Sequence, residues 1–321
     1  MLEGGEYSPW VQTIFKSIKA GTMFRVIRWT STSGAWFIDN ILFKTKTARQ
    51  KQFEHQKYTS DRVDRRLQRE PEHPDLWTKI LEKGQDEKEG GLSLGEHHSN
   101  ASLFMLAGTE TTATALSGTT YHLLRNPETM KKLTTEIRSA FKDFDDITLE
   151  GLARQKYLMA VLQEGLRMYP PVPIGLPRTV PEGGHTICDE YVPGGTTVSV
   201  GQVATYRMEE NFKHADEFHP ERWLGDEEFK DDHLDAMEPF SVGPRNCLGK
   251  VCIQFRLPLP RVLADLATQN LAWHEMRLLL VTTLLHFDLT LTEESKHWSD
   301  QQIFTLWEKK PLFCTLVPAK A

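Results

Sequence analysis

The chain alternates between segments whose apolar positions recur every three to four residues and polar, proline-rich stretches that interrupt them. In Pro127 to Phe141, the side chains of Met130, Leu133, Ile137 and Phe141 fall on one helix face; in Gln155 to Met168, those of Leu158, Val161, Leu162 and Leu166 do the same. Further helices are predicted at Trp10 to Ala20, Thr45 to Arg69 and Leu271 to Phe287, the last strongly apolar. The longest segment, His97 to Arg125, stops ahead of Asn126-Pro127, because the residue before a proline disfavours the helical region. Between Arg178 and Val203 the pattern becomes β-like, with turns at Glu182-Gly183-Gly184 and Pro193-Gly194-Gly195. Asn211 to Phe240 is polar and irregular. The expected fold class is therefore mainly α with a minor β-sheet.

Composition sets bounds on this picture. With 321 residues, 39% of them hydrophobic, the chain can bury a large core. A formal charge of -6 excludes a general nucleic-acid binder, which would carry a basic surplus, so no nucleic acid is expected as a partner. Four cysteines, Cys188, Cys247, Cys252 and Cys314, are too few for a disulfide framework in a chain this long. The chain opens on polar and acidic residues, without a signal peptide or transmembrane anchor. Leu103 to Leu124 lacks Lys and Arg, but Glu110 and a run of threonines make it costly in lipid. It reads as a buried helix.

Three groups of residues call for a chemical reason. Phe240-Ser241-Val242-Gly243-Pro244-Arg245-Asn246-Cys247-Leu248-Gly249 places a cysteine in a loop ahead of a helical segment. Such a loop can turn backbone N–H groups toward a sulfur and stabilise a thiolate. Gly243 and Gly249 allow backbone to approach a flat cofactor, and Arg245 is placed to pair with a carboxylate. Ala107-Gly108-Thr109-Glu110-Thr111-Thr112 puts glycine and clustered threonines in mid-helix, where both are poor helix formers. Glu164 and Arg167, three residues apart, share a helix face. The histidine pairs His97-His98 and His214/His219 lie in polar stretches and read as surface residues, not as metal ligands.

In this order, these motifs resemble the cytochrome P-450 family, whose heme loop has Phe, Gly, Arg, Cys and Gly at the spacing of Phe240, Gly243, Arg245, Cys247 and Gly249. The resemblance implies that Cys247 is the axial thiolate of a heme iron and that Arg245 contacts a heme propionate. Arg178, in Leu176-Pro177-Arg178, is a further propionate-binding candidate. It also implies that Glu110 and Thr111 relay protons to dioxygen. Glu164 and Arg167 would lock onto Arg222 in Pro220-Glu221-Arg222-Trp223, where Trp223 stands at a position more often Phe.

The implied activity is monooxygenation, the insertion of one oxygen atom from dioxygen into a small hydrophobic, terpenoid or polyketide-like substrate of fungal secondary metabolism. Electrons would come from an NADPH-cytochrome reductase. A complete member sits at the endoplasmic reticulum membrane, facing the cytosol. A heme-thiolate isomerase or dehydratase, and a non-catalytic truncated or mis-spliced product, are the alternative readings.

The resemblance covers nearly the whole chain but only the C-terminal portion of a full family member. Residues 1–321 are thus expected to form a single catalytic region lacking its N-terminal part. One segment departs from the family: 19 residues, 251–269, separate Lys250 from Asn270-Leu271-Ala272-Trp273-His274-Glu275-Met276-Arg277, and Pro258 and Pro260 forbid a continuous helix through them. Val251-Cys252 can be encoded by GTATGT, Ala264-Asp265 by GCTGAC and Gln269 by CAG, the signals of a splice donor, branch site and acceptor, with the frame preserved. The segment reads as a translated intron. Its expected consequence is that the helix whose dipole should favour the thiolate is displaced from Cys247, so that heme binds poorly.

Overall fold

A computed structural model describes residues 9–70, 72–73, 75–81, 91–250 and 271–319; the segment 251–269 lies outside the described residues. Helices dominate: α1 (Pro9–Thr30), α2 (Thr32–Asn40), α3 (Lys46–Leu67), α4 (Leu76–Leu81), α5 (Leu94–Arg125), α6 (Pro127–Ala140), α7 (Leu149–Ala153), α8 (Lys156–Met168), α9 (Gln202–Tyr206) and α10 (Leu271–His286). The chain divides into two compact units, Met1–Glu110 and Thr111–Ala321, with the boundary inside α5. No described helix is long and apolar enough to cross a membrane.

In the first unit, α1 runs ten residues beyond the helix expected at Trp10 to Ala20. The unpredicted α2 follows at once, its N-terminus capped by Ser31, whose Oγ accepts from the N–H of Gly34 at 3.0 Å. The reading of His97 as a surface residue is corrected. His97 is buried against the Trp77 ring, with centroids 6.2 Å apart, and the Nε2 of half-buried His98 lies 2.7 Å from Asp64. One polar-looking dipeptide thus splits between the two faces of a helix.

The second unit packs the end of α5 with α6, α8 and α10 around one core, in which Leu123, Leu133, Ile137, Leu158, Leu162 and Val281 are fully buried. Each such side chain contributes about 1.5–3 kcal/mol through removal from water. Near the junction of α5 and α8 the chains come very close. A Cβ on Gly165 would stand 2.0 Å from Thr119 Oγ1, and one on Gly118 would stand 2.4 Å from the Tyr169 ring. Glycine is required on both helices. The C-terminus of α10 is held by Arg138, which donates to the Leu284 carbonyl at 2.9 and 3.1 Å and pairs with Asp288 at 2.7 Å.

Among the described residues, the named strands form three separate two-stranded antiparallel ladders. Arg178–Thr179 pairs with Thr197–Val198, and His185–Ile187 pairs with Glu190–Val192 across a tight turn in which Cys188 and Asp189 both have positive φ. Phe287–Leu291, directly after α10, pairs with Cys314–Pro318 near the C-terminus. The polar stretch from Asn211 to Phe240 becomes a series of 3-10 turns at Pro220–Leu224, Glu227–Phe229 and Leu234–Ala236.

Candidate active site

The cysteine loop is closed by its own backbone. The Cys247 N–H donates to the Phe240 carbonyl at 2.8 Å, and the Lys250 N–H donates to the Cys247 carbonyl at 3.1 Å. Ser241 and Gly243 take positive φ of 59° and 77°, and single 3-10 turns at Gly243–Arg245 and Leu248–Lys250 flank the cysteine. Phe240 anchors the start of the loop on Trp273, with ring centroids 5.6 Å apart. The outcome is a free, exposed Cys247 thiol. A Cβ on Gly249 would lie 3.5 Å from Cys247 Sγ, so glycine keeps one flank of the sulfur clear.

The donor set of this loop fits heme. A thiol is a soft iron ligand, the exposed Arg245 guanidinium suits a carboxylate, and Val242 and Leu248, 60% and 68% exposed, present apolar surface beside both. A flat iron macrocycle with carboxylates on its edge matches each of these.

The helix after the loop is not displaced, contrary to the sequence-based expectation. The Cβ that Gly249 lacks would lie 3.8 Å from the Cβ of Ala272, in the first turn of α10. The helix therefore returns directly against the thiol loop in spite of the intervening 251–269. Core packing explains this: Met276, Leu280, Val281 and Leu284 are buried and fix α10 whatever precedes it in sequence.

Behind the loop lies a buried charge network. The side chains of Glu164, Arg167 and Arg222 have no exposure. Arg167 Nη2 and Nε donate to the two oxygens of Glu164 at 2.7 and 2.9 Å, and Arg222 Nε donates to it at 3.1 Å. Arg167 also donates to the carbonyls of Tyr206, Ala215 and Glu217. Three members were missed in the sequence. Trp223 Nε1 donates to Glu164 Oε2 at 2.9 Å, Asp232 pairs with Arg222, and the His219 N–H donates to Glu164 Oε1 at 2.9 Å. Two carboxylates thus meet two guanidiniums, and the cluster is neutral. Burial pulls the Glu164 carboxyl upward, but Arg167 and Arg222 hold it below its ordinary value.

The network reaches the loop through Tyr206. Its carbonyl accepts from Arg167 at 2.8 Å, its hydroxyl accepts from the Glu238 N–H at 2.9 Å, and the Glu238 carbonyl accepts from Ser241 at 3.0 Å. Ser241 is the second residue of the cysteine loop. Glu110 and Thr111 sit in α5, the first buried and the second half-buried. The next residue, Thr112, donates from Oγ1 to Glu275 Oε2 on α10 at 3.3 Å. Arg178 opens the first ladder, exposed, with Nη1 donating to the Pro177 carbonyl at 3.0 Å.

A family model for cytochrome P-450 matches residues 5–252. The chain belongs to the cytochrome P-450 family. Among its relatives, the cytochrome P-450 monooxygenase efuB of Hormonema carpetanum is 51% identical over 318 residues, which cover 98% of this chain and 58% of that protein. The cytochrome P-450 monooxygenase FUM2 of Gibberella moniliformis is 39% identical over 321 residues, covering 100% of this chain and 63% of that protein. A solved cytochrome P-450DA heme domain shares the fold with a TM-score of 0.72 at 20% identity, over 99% of this chain and 62% of that one. This P-450 chain therefore spans roughly three-fifths of the length of the relatives it matches. Heme is the cofactor of the family.

Proposed function

We propose that this P-450 chain carries the heme-thiolate part of a monooxygenase acting on a small hydrophobic molecule of fungal secondary metabolism. The observation behind this reading is the exposed Cys247 thiol beside Gly249, in a loop whose apolar and cationic side chains suit heme. Bound heme supplies activation of dioxygen and transfer of one of its oxygen atoms to a C–H bond. Cys247 holds the iron through sulfur, and Arg245 and Arg178 offer guanidiniums to the propionates. Glu110 and Thr111 would relay protons to the site, the latter through its hydroxyl. Electrons come from an NADPH-cytochrome reductase, with the complete protein at the cytosolic face of the endoplasmic reticulum.

Hemin reconstitution of the purified chain tests the reading. One heme per chain with a thiolate-type spectrum of the reduced carbon monoxide complex is expected, and Cys247→Ser should abolish that spectrum while far-UV circular dichroism stays unchanged. A Cys247→Ser protein with the wild-type spectrum would overturn it.

The same reading holds residues 251–269 to be a translated intron. Two observations support it: the family match ends at residue 252, and Gly249 already adjoins Ala272. After excision the four peptide links between these two residues can span about 14 Å, ample for the contact seen. Closing a loop of this length costs on the order of 3 kcal/mol, so the deletion variant should be more stable by a comparable amount in urea. Transcripts that retain these codons, or a deletion variant that fails to fold, would refute the intron assignment.

A further inference from the structure

In the threonine run of α5, the hydroxyl of Thr112 leaves its own helix. Ser117, a turn and a half further on, donates to the Ala113 carbonyl at 2.7 Å, the usual return four residues back. Thr112 Oγ1 instead donates across to Glu275 Oε2 at 3.3 Å, a partner 163 residues away. Thr112 is 9% exposed, so a charged acceptor there acts in a partly desolvated setting, where such a bond is stronger than a neutral one.

Glu275 sits in a row on α10 that touches the other chemical motif. Ala272, Glu275 and Met276 share one helix face at spacings of three and four. Ala272 adjoins Gly249, which flanks Cys247 Sγ, and Met276 is buried in the core. One face of one helix thus holds the thiol loop at one position and the threonine run at the next.

We propose that Glu275 is a positioning residue: by accepting from Thr112 it fixes the turn of α5 that carries Thr111 relative to the Cys247 loop, and so governs proton supply at the site. The mechanical half of this inference is independent of the monooxygenase reading; the proton half rests on it.

The test uses Glu275→Ala, Glu275→Gln and Thr112→Val. In hydrogen exchange on the purified chain, amides of residues 111–116 should exchange about tenfold faster in Glu275→Ala and Thr112→Val, the effect of one lost bond to a charged acceptor. Glu275→Gln, which keeps an amide oxygen as acceptor, should stay near wild type, and the Ala/Val double variant should exceed neither single one. Exchange in Glu275→Ala equal to wild type overturns the inference.

In the heme-loaded chain supplied with NADPH and a reductase, the share of electrons released as hydrogen peroxide should rise severalfold in Glu275→Ala and Thr112→Val and recover in Glu275→Gln, with the carbon monoxide spectrum unchanged. A faster-exchanging Glu275→Ala with a wild-type peroxide share makes the residue merely structural and also overturns the proposal. If the wild-type chain takes up no heme, the monooxygenase reading fails, and the exchange measurement still decides whether the tie exists.

Discussion

The Glu164 network and the Cys247 loop lie in the same unit and are joined through Tyr206, yet they meet the solvent in opposite ways. Every charge of the network finds its partner within the chain: five donors converge on Glu164, and Asp232 balances the second guanidinium. The loop turns its chemistry outward, with Cys247, Arg245, Val242 and Leu248 all exposed. Burial makes the network costly to disturb, because an orphaned charge in the interior has no water to turn to. Exposure makes the loop tolerant, because its side chains contribute to a bound cofactor and little to the fold. Substitutions on the two sides of this contrast should therefore differ in what they damage.

The largest effect is expected at the centre of the network. Glu164→Ala leaves Arg167 buried with only neutral acceptors and should cost about 3–5 kcal/mol, a large share of the stability of a typical domain, read as a much lower urea midpoint. Urea denaturation with circular dichroism checks this, and a variant with the wild-type midpoint would contradict the description of a closed network. Because the Glu164 carboxyl is held below its ordinary value, its contribution is present above that value and is lost as pH falls through the folded one.

A half-buried histidine next to the network, its Nε2 shielded from solvent, sharpens the contrast through pH. His122 stacks on Phe218 with centroids 5.4 Å apart and planes 6° from parallel, and its Nε2 has no hydrogen-bond partner among the described residues. Burial first, and then the nearby Arg207, lowers its pKa from 6.5 to about 3. The unfolded chain takes up a proton near pH 6.5 that the folded chain refuses, so stability falls as pH drops from that point toward 3. Between pH 6.5 and 5 the loss should be about 2 kcal/mol. His122→Phe should remove this part of the acid sensitivity, read as a shallower fall of melting temperature over the same range. An unchanged slope would mean that His122 is protonated in the folded state.

How much of this could be read from residues alone follows the same division. The helices of the second unit were legible because Leu133 and Ile137, or Leu158, Val161 and Leu162, repeat at helical spacing and are the residues that became buried. Glu164 with Arg167 was legible because the pair is local. Asp232 was not, since it joins Arg222 across an irregular stretch with no periodicity, and the Trp223 indole was seen only as a departure from the commoner Phe. The pairing of Phe287–Leu291 with Cys314–Pro318, and the bond from Thr112 to Glu275, are long-range contacts that no local pattern encodes. The expected displacement of α10 failed for a related reason. It was argued from chain continuity at Lys250, whereas the buried face of the helix decides where it packs.

Trp223→Phe tests the rim of the network. It removes one of five donors to Glu164 while keeping most of the ring, so the expected cost is about 1.5 kcal/mol in the urea midpoint, well below that of Glu164→Ala. The smallest change in stability should come from the residue on which the chemistry depends. Cys247→Ser replaces an exposed sulfur by an oxygen of similar reach, in a loop closed by backbone hydrogen bonds that the side chain does not make, so its cost should stay within about 0.5 kcal/mol. Its effect on heme should be complete loss of the thiolate-type spectrum. If Cys247→Ser instead lowers the urea midpoint as far as Glu164→Ala is expected to, the sulfur is part of the packing and the outward-facing description of the loop is wrong. If it alters neither stability nor spectrum, the iron is held elsewhere.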